Sequence, residues 1–426
     1  MHLTKKKTKN YIGLILTMIF MLLLSACQSA ETSTGSGAGG SKKDAPIKIG
    51  ILEDQSGDFS LVGIQKLHAA QLAVEEINNN GGLLGRQVEI VAPDTQSDNK
   101  RFQEMARKVI LEDQVDVVMG GFSSASREAI RPIMEKNKML YFYNNQYEGG
   151  VASKYSFNTG AIPDHQIGTL MEAVIKKYGP KVYTIAADYN FGQISADWVR
   201  TETERLGGEI VGEEFIPLGV SQFASTISRI KAADPDVLVT LLVGQEQSSF
   251  YGQWAKSGNT KLPMATTVNM AQAYEHKRFD PPSLANMYVT VTFMEELGDI
   301  LPSAKEFVDK FYKKFPDDKY VGMEAETQYT GVMLWAEAVE KAGTTEVEAV
   351  IDALETGISY DGPAGTAKID PATHHAVRNV YLAYADKEHK ITFPQQWEAV
   401  VPDWLSKEKG VDLTKKDEFK QYTPLD

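Results

Sequence analysis

The chain has 426 residues, 24% of them charged, a formal net charge of −13 and a single cysteine, Cys27. An acidic balance of this size argues against nucleic acid as a partner. One thiol excludes an intramolecular disulfide, so core burial alone must hold the fold, and the length suits a pair of domains.

The chain opens with Lys5, Lys6, Lys7 and Lys9, followed by an apolar run from Tyr11 to Leu24. A charged start, a short apolar core and small residues behind it are the marks of a secretory signal, here residues 1–26. The run is short for a comfortable membrane span of about 20 residues. Leu24-Ser25-Ala26-Cys27 resembles the bacterial lipobox. That resemblance implies diacylation of Cys27 and cleavage before it; the alternative is an ordinary signal with an incidental Cys. Residues 27–45 are rich in Ser, Gly, Thr and Ala, the composition of a flexible tether. Two acyl chains give stable anchoring, so the expected location is the extracytoplasmic face of the cell membrane.

The folded part, 46–426, opens on Ile47–Leu52, which reads as a buried strand, with Asp54-Gln55-Ser56-Gly57 as a loop. His68 to Asn78 has helical apolar spacing and stops at Asn79-Asn80-Gly81-Gly82. Strands are expected at Val88–Val91, Val115–Met119 and Met139–Tyr143, with helices over Arg101–Glu112 and within Phe122–Asn137. The alternation repeats. Strands fall at Lys181–Ala187, Glu209–Phe215, Val237–Val243 and from Met264. Helices fall at Ile194–Leu206, Phe223–Ala233 and Ser248–Ser257. Short loops between alternating strands and helices predict parallel sheets wrapped by helices, in two similar α/β lobes. Further on, Ser303–Phe315, Glu326–Ala342 and Thr345–Leu354 read as helices, with Thr345 a plausible N-cap. Gly362-Pro363-Ala364-Gly365 is a turn and Val377–Tyr384 a strand. The tail from Trp397 either straps onto a lobe or stays loose.

Enzymatic patterns are missing. Gly160, Gly168 and Gly179 form no phosphate loop with a following Lys and Ser/Thr, and there is no Gly-x-Ser-x-Gly elbow. Neighbouring His374 and His375 would point to opposite faces of a strand, a poor chelator, so they read as a polar turn. No metal or cofactor is expected. A hidden pair of carboxylates is all that an enzyme reading could rest on.

Several segments carry a family likeness in order: Ile49-Gly50-Ile51-Leu52 with Ser56-Gly57, Ala73 through Arg86, and Asp94-Thr95-Gln96-Ser97-Asp98. With Gly120 to Arg127, Tyr143 to Gly149, Asp188-Tyr189, Glu213 to Gly219, and Glu326 to Val332 before Leu334-Trp335, they span Pro46 to about Lys390. This resembles the type I periplasmic solute-binding proteins of ABC importers, and within them the branch that binds urea and short-chain amides. The resemblance implies two Rossmann-like lobes with parallel sheets, joined by a three-segment hinge. Lobe 1 would hold about 46–165 with part of 295–385, and lobe 2 about 166–294 with later segments. It further implies a non-enzymatic protein that captures a small polar solute between the lobes. Separate permease and ATPase subunits and the membrane, through the lipid anchor, would be its partners. A branched-chain or other amino acid is the alternative ligand, and a surface ligand sensor the alternative role.

Ligands of open α/β sheets sit outside the carboxyl ends of strands, which directs attention to Phe122, Ser123 and Ser124. There hydroxyls and backbone N–H groups at a helix start attract a carbonyl or carboxylate oxygen. Capping alone is the plainer use of those serines. After the next strand come Tyr143, Asn145 and Tyr147. Asn145 both donates and accepts, as an amide or urea ligand requires, and Tyr147 is equally a packing aromatic. The amide branch carries Pro after the first Tyr, whereas this chain has Asn144-Asn145-Gln146, which enlarges the polar side of the pocket. From the second lobe, Tyr189 and Gln245 would face across the cleft. Glu246 could meet an α-ammonium, and Thr266 and Thr267 are weaker candidates.

Overall fold

The structure, a computed structural model, describes residues 45–402 and 411–423. Cys27, the signal and the tether lie outside the described residues. The first sheet is built from β1 (Ile47–Leu52), α1 (Ser60–Asn79), β2 (Val88–Val91), α2 (Asn99–Leu111), β3 (Val117–Gly120), α3 (Ser124–Asn137), β4 (Tyr141–Tyr143), β5 (Val151–Ala152) and β6 (Ser156–Asn158). Its order is β2-β1-β3-β4-β6, every pairing parallel, with β5 outside it.

The helices form for legible reasons. In α2, Phe102, Met105, Ala106 and Val109 recur at i, i+3, i+4 and i+7 and are all buried. Each large apolar side chain contributes roughly 1.5–3 kcal/mol on burial. Asp98 caps the helix by accepting from the Arg101 N–H at 2.7 Å. At the end of α1, Gly82 adopts φ +80°, its N–H donates to the Ile77 carbonyl at 2.9 Å, and a Cβ there would lie 2.0 Å from the Arg86 oxygen.

The second sheet takes α4 (Thr169–Tyr178), β7 (Lys181–Ala187), α5 (Asn190–Arg205), β8 (Glu209–Ile216), α6 (Ala224–Ala233), β9 (Val237–Leu241), α7 (Gly244–Lys256), β10 (Met264–Thr266) and β11 (Met287–Val291). The chain then returns to the first lobe in α8 (Pro302–Lys314), α9 (Met323–Ala342) and α10 (Val347–Leu354), with α9 packed on α1. The hairpin of β12 (Ser359–Gly362) and β13 (Gly365–Ile369) leads into β14 (Ala376–Ala385) and β15 (Ile391–Val400). The order is β12-β13-β14-β11-β10-β9-β7-β8, with β15 on β14. From β8 to β11 the strands run parallel, and β14 is antiparallel to β11. The result is the mixed α/β fold with parallel sheets and flanking helices that the strand–helix alternation predicts.

Three stretches carry the chain between the elements of the first sheet and those of the second: residues 159–168, 292–301 and 355–358. The tail folds back onto the first lobe, where β16 (Lys420–Gln421) pairs antiparallel with β5. Thr345 does not cap α10. Its hydroxyl donates to Asp116 Oδ1 at 2.8 Å, and Glu346 holds the cap position. His374 and His375 close the turn that precedes β14, as expected, but they are not exposed there. Both are buried, His374 stacked on Phe157 at 3.9 Å, and burial lowers His375 to about 4, keeping it neutral.

Candidate functional site

The loop after β3 and the start of α3 bring Phe122, Ser123 and Ser124 to the carboxyl edge of the first sheet. Ser123 is the N-cap, its hydroxyl accepting from the Ser126 N–H at 3.0 Å. Ser124 is buried and donates its hydroxyl to Glu148 Oε2 at 2.5 Å. Its lone pairs stay open for a ligand donor.

Glu148 is a node. Its Oε1 accepts from Arg127 Nη2 at 2.6 Å and from Gln421 Nε2 at 2.7 Å, and its backbone carbonyl accepts from Trp198 Nε1 of α5 at 3.0 Å. Burial pushes the Glu148 carboxyl up, but the Arg127 charge and the donors from Arg127, Ser124 and Gln421 hold it below the usual range. Arg127 itself lies against the rings of Tyr147 and Tyr143, at 4.5 and 5.2 Å, and meets Glu128 at 2.9 Å.

Of the residues singled out from the sequence, Phe122, Ser123, Ser124, Asn145 and Tyr189 line one small space of about 20 Å³, together with Gln146, Phe191, Val243, Val268 and Gln272. That is room for about one water. Tyr143 and Tyr147 stand behind it. Tyr143 donates to the Phe122 carbonyl at 2.6 Å, and Tyr147 donates to Nε2 of His375. Gln245 is exposed and lines a larger adjoining cavity of about 560 Å³ with Phe59, Gly219, Glu246, Glu275 and Arg278. The two spaces share Phe122, Val243, Val268 and Gln272. Phe59 and Phe122 form an aromatic wall with ring centroids 4.9 Å apart.

The amides are the distinctive feature. Asn145 Nδ2 donates to the Phe122 and Gln146 carbonyls at 3.0 and 2.9 Å, but its Oδ1 has no partner. Neither polar atom of the Gln146 side chain is bonded, although the residue is buried. Glu324, at the start of α9, links the lobes: it accepts from the Gln146 N–H at 3.1 Å and from Gln272 Nε2 at 3.0 Å. Beneath it, Lys66 pairs with Glu53 at 3.0 Å, both fully buried. Burial outweighs the lysine and pushes the Glu53 carboxyl up to about 8. Gln146 and Gln272 are not among the contacts expected from the sequence. Gln146 stood out only as an unusual amide, and Gln272 follows β10 with no motif to mark it. No group of three or more metal-ligating side chains occurs among the described residues.

The periplasmic binding protein family profile matches residues 46–390. The chain belongs to the periplasmic binding protein family. Leu/Ile/Val-binding protein homolog 7 of Brucella abortus (strain 2308) is 26% identical over 338 residues, covering 74% of this chain and 82% of that protein. Homolog 6 of the same strain is 22% identical over 353 residues, covering 82% and 89%. The solute binding protein of an ABC transporter from Rhodopseudomonas palustris BisB5, solved with 3,4-dihydroxybenzoic acid, shares the fold. Its TM-score is 0.72 at 22% identity, covering 84% of this chain and 98% of that one. A leucine binding protein from Thermotoga maritima MSB8 matches with TM-score 0.70 at 20% identity, covering 84% and 99%. This periplasmic binding protein is therefore a solute binder by family, not an enzyme. None of these four is named for urea or an amide.

Proposed function

We propose that the protein captures a small polar solute between its lobes outside the cytoplasmic membrane and hands it to a separate ABC permease and ATPase. The ligand class is urea or a short-chain amide. The observation that carries this choice is the set of unpartnered amide atoms of Asn145 and Gln146 beside Ser124 and Tyr189. A buried polar atom without a partner costs about 1–3 kcal/mol. A neutral solute with both donors and acceptors relieves that cost without introducing charge. A second reading, an amino acid, draws on buried Glu246 at the first turn of α7, whose carboxylate suits an ammonium, and on the names of the Brucella relatives.

Calorimetric titration with urea, acetamide, L-leucine and 4-hydroxybenzoate separates these. Acetamide or urea is expected to bind most tightly, and Ser124→Ala to weaken that binding several-fold to about tenfold. Binding confined to L-leucine rejects the amide class in favour of the second reading, and binding of none of the four rejects both.

The membrane association rests on the Leu24-Ser25-Ala26-Cys27 run. No helix among the described residues is long and apolar enough to cross a membrane. Attachment through acylated Cys27 predicts that Cys27→Ala moves the protein from the membrane pellet to the soluble fraction or leaves it unprocessed. An unchanged, lipid-labelled Cys27→Ala protein rejects the anchor.

A further inference from the structure

The family match ends at residue 390, yet the chain continues and its described tail returns to the first lobe. Val411, Leu413 and Tyr422 are buried in the same apolar cluster as Tyr143, Tyr147 and Trp198. The tail's backbone is bonded along its course: the Lys154 N–H donates to the Lys416 carbonyl at 3.0 Å, Arg131 Nη1 to the Phe419 carbonyl at 2.9 Å, and the Tyr422 N–H to the Gly150 carbonyl at 2.7 Å. The approach is close enough that a Cβ on Gly150 would lie 1.9 Å from the Tyr422 oxygen.

These contacts aim one side chain. Gln421 Nε2 donates to Glu148 Oε1 at 2.7 Å and to the Gly149 carbonyl at 3.1 Å. The other carboxylate oxygen of Glu148 takes the Ser124 proton, and Ser124 lines the space between the lobes. We infer that Gln421 is a positioning residue for the solute site, acting through Glu148 to fix the Ser124 hydroxyl, so that the tail is a working part of the cleft and more than a clamp on the lobe. This rests on the proposed site for the part Ser124 plays. A carboxylate with two donors on one oxygen and one on the other cannot rotate without breaking a charge-assisted bond, each stronger than a neutral one. With the Gln421 donor gone, Arg127 alone holds Oε1, and the Ser124 rotor loses its fixed acceptor.

Two variants of the full mature chain separate positioning from packing. Gln421→Met keeps the length and removes the donor; Gln421→Lys keeps a donor and changes the shape. With acetamide as the probe, Gln421→Met is expected to bind about fivefold more weakly, by no more than Ser124→Ala does, and Gln421→Lys within about twofold of the parent. Amide hydrogen exchange on the ligand-free proteins reads the same point without a solute: residues 122–127 and 145–149 should exchange faster in Gln421→Met and at the parental rate in Gln421→Lys. If the parent does not bind acetamide, the proposed ligand class fails and the exchange comparison alone decides the role of Gln421. The positioning role is overturned if Gln421→Met exchanges like the parent, or if Gln421→Lys is the more disturbed of the two.

Discussion

Replacing Arg127 with methionine should lower the unfolding free energy by about 3–5 kcal/mol, the usual cost of stripping one partner from a buried ion pair. The guanidinium and the Glu148 carboxylate are 1% and 0% exposed, so water cannot take over the lost charge contact. Ser124 and Gln421 would remain as donors, but neither brings a positive charge. Urea denaturation reads the loss directly as a lower midpoint at unchanged slope. The double variant Arg127→Met/Glu148→Gln should recover much of it, because the buried carboxylate is then gone too. A single-variant loss below about 1 kcal/mol, outside the range for stripped buried pairs, refutes this account of the cluster. The pH dependence has a definite sign. Glu148 titrates lower in the folded chain than unfolded, so its contribution is present above the unfolded value of about 4.3 and drains away as pH falls through the folded one. Arg127→Met should flatten that acid-side slope.

The second large effect comes from a residue with no functional group. Gly160 lies in the first stretch between the lobes, where a Cβ would sit 2.0 Å from the Asn145 oxygen and 2.6 Å from the Gln146 nitrogen. Real atoms do not approach that closely, so Gly160→Ala must push the Asn145–Gln146 peptide, which carries both unpartnered amides. Overpacking of this kind costs about 1–3 kcal/mol. If most of that cost falls on the ligand-binding form, affinity for the solute should drop by about fivefold to a hundredfold, since about 1.4 kcal/mol is tenfold. Gly168→Ala is the control: its Cβ would meet only the Pro163 oxygen, at 3.8 Å. Equal behaviour of the two variants in calorimetry and thermal melting would show that crowding at Asn145 is irrelevant.

Much of this architecture was legible beforehand because strand and helix periods differ. β1, β2 and β7 fall on the residues expected, since each is a short apolar run closed by turn residues. Several helices start ahead of their apolar spacing. α1 begins at Ser60 rather than His68 because its first turns bury Gln65 and Lys66, which look like surface residues in a pattern. Lys66 is inside only because Glu53 and the Gly121 carbonyl meet it. β11 and β15 passed unmarked. β15 has the exposed Gln395 and Gln396 in mid-strand and gains its place by pairing with β14, a relation that no local window contains.

The site divides in the same way. Ser124 and Asn145 stand out in the sequence because they follow strands, and both line the small space of the candidate site. The web behind them does not: Glu148, Arg127, Trp198 and Gln421 lie up to 294 positions apart, and ordinary charged and amide residues give no hint of a meeting point. Tyr143 and Tyr147 illustrate the converse. Their position near strand ends marked them as contacts, while their hydroxyls are bound to Phe122 and His375.

The small size of the space beside Ser124 bears on rate as well as affinity. With room for about one water beside Ser124, a solute lodged in the adjoining cavity of about 560 Å³ would reach that hydroxyl only once the gap widens. Capture then waits on a door, not on diffusion. At low solute the pace should scale with concentration, and at high solute it should level off at the frequency with which the empty protein opens. The population already open also divides the intrinsic affinity, so a substitution that weakens the Glu324 link between Gln146 and Gln272 should quicken loading while leaving the pocket's chemistry untouched.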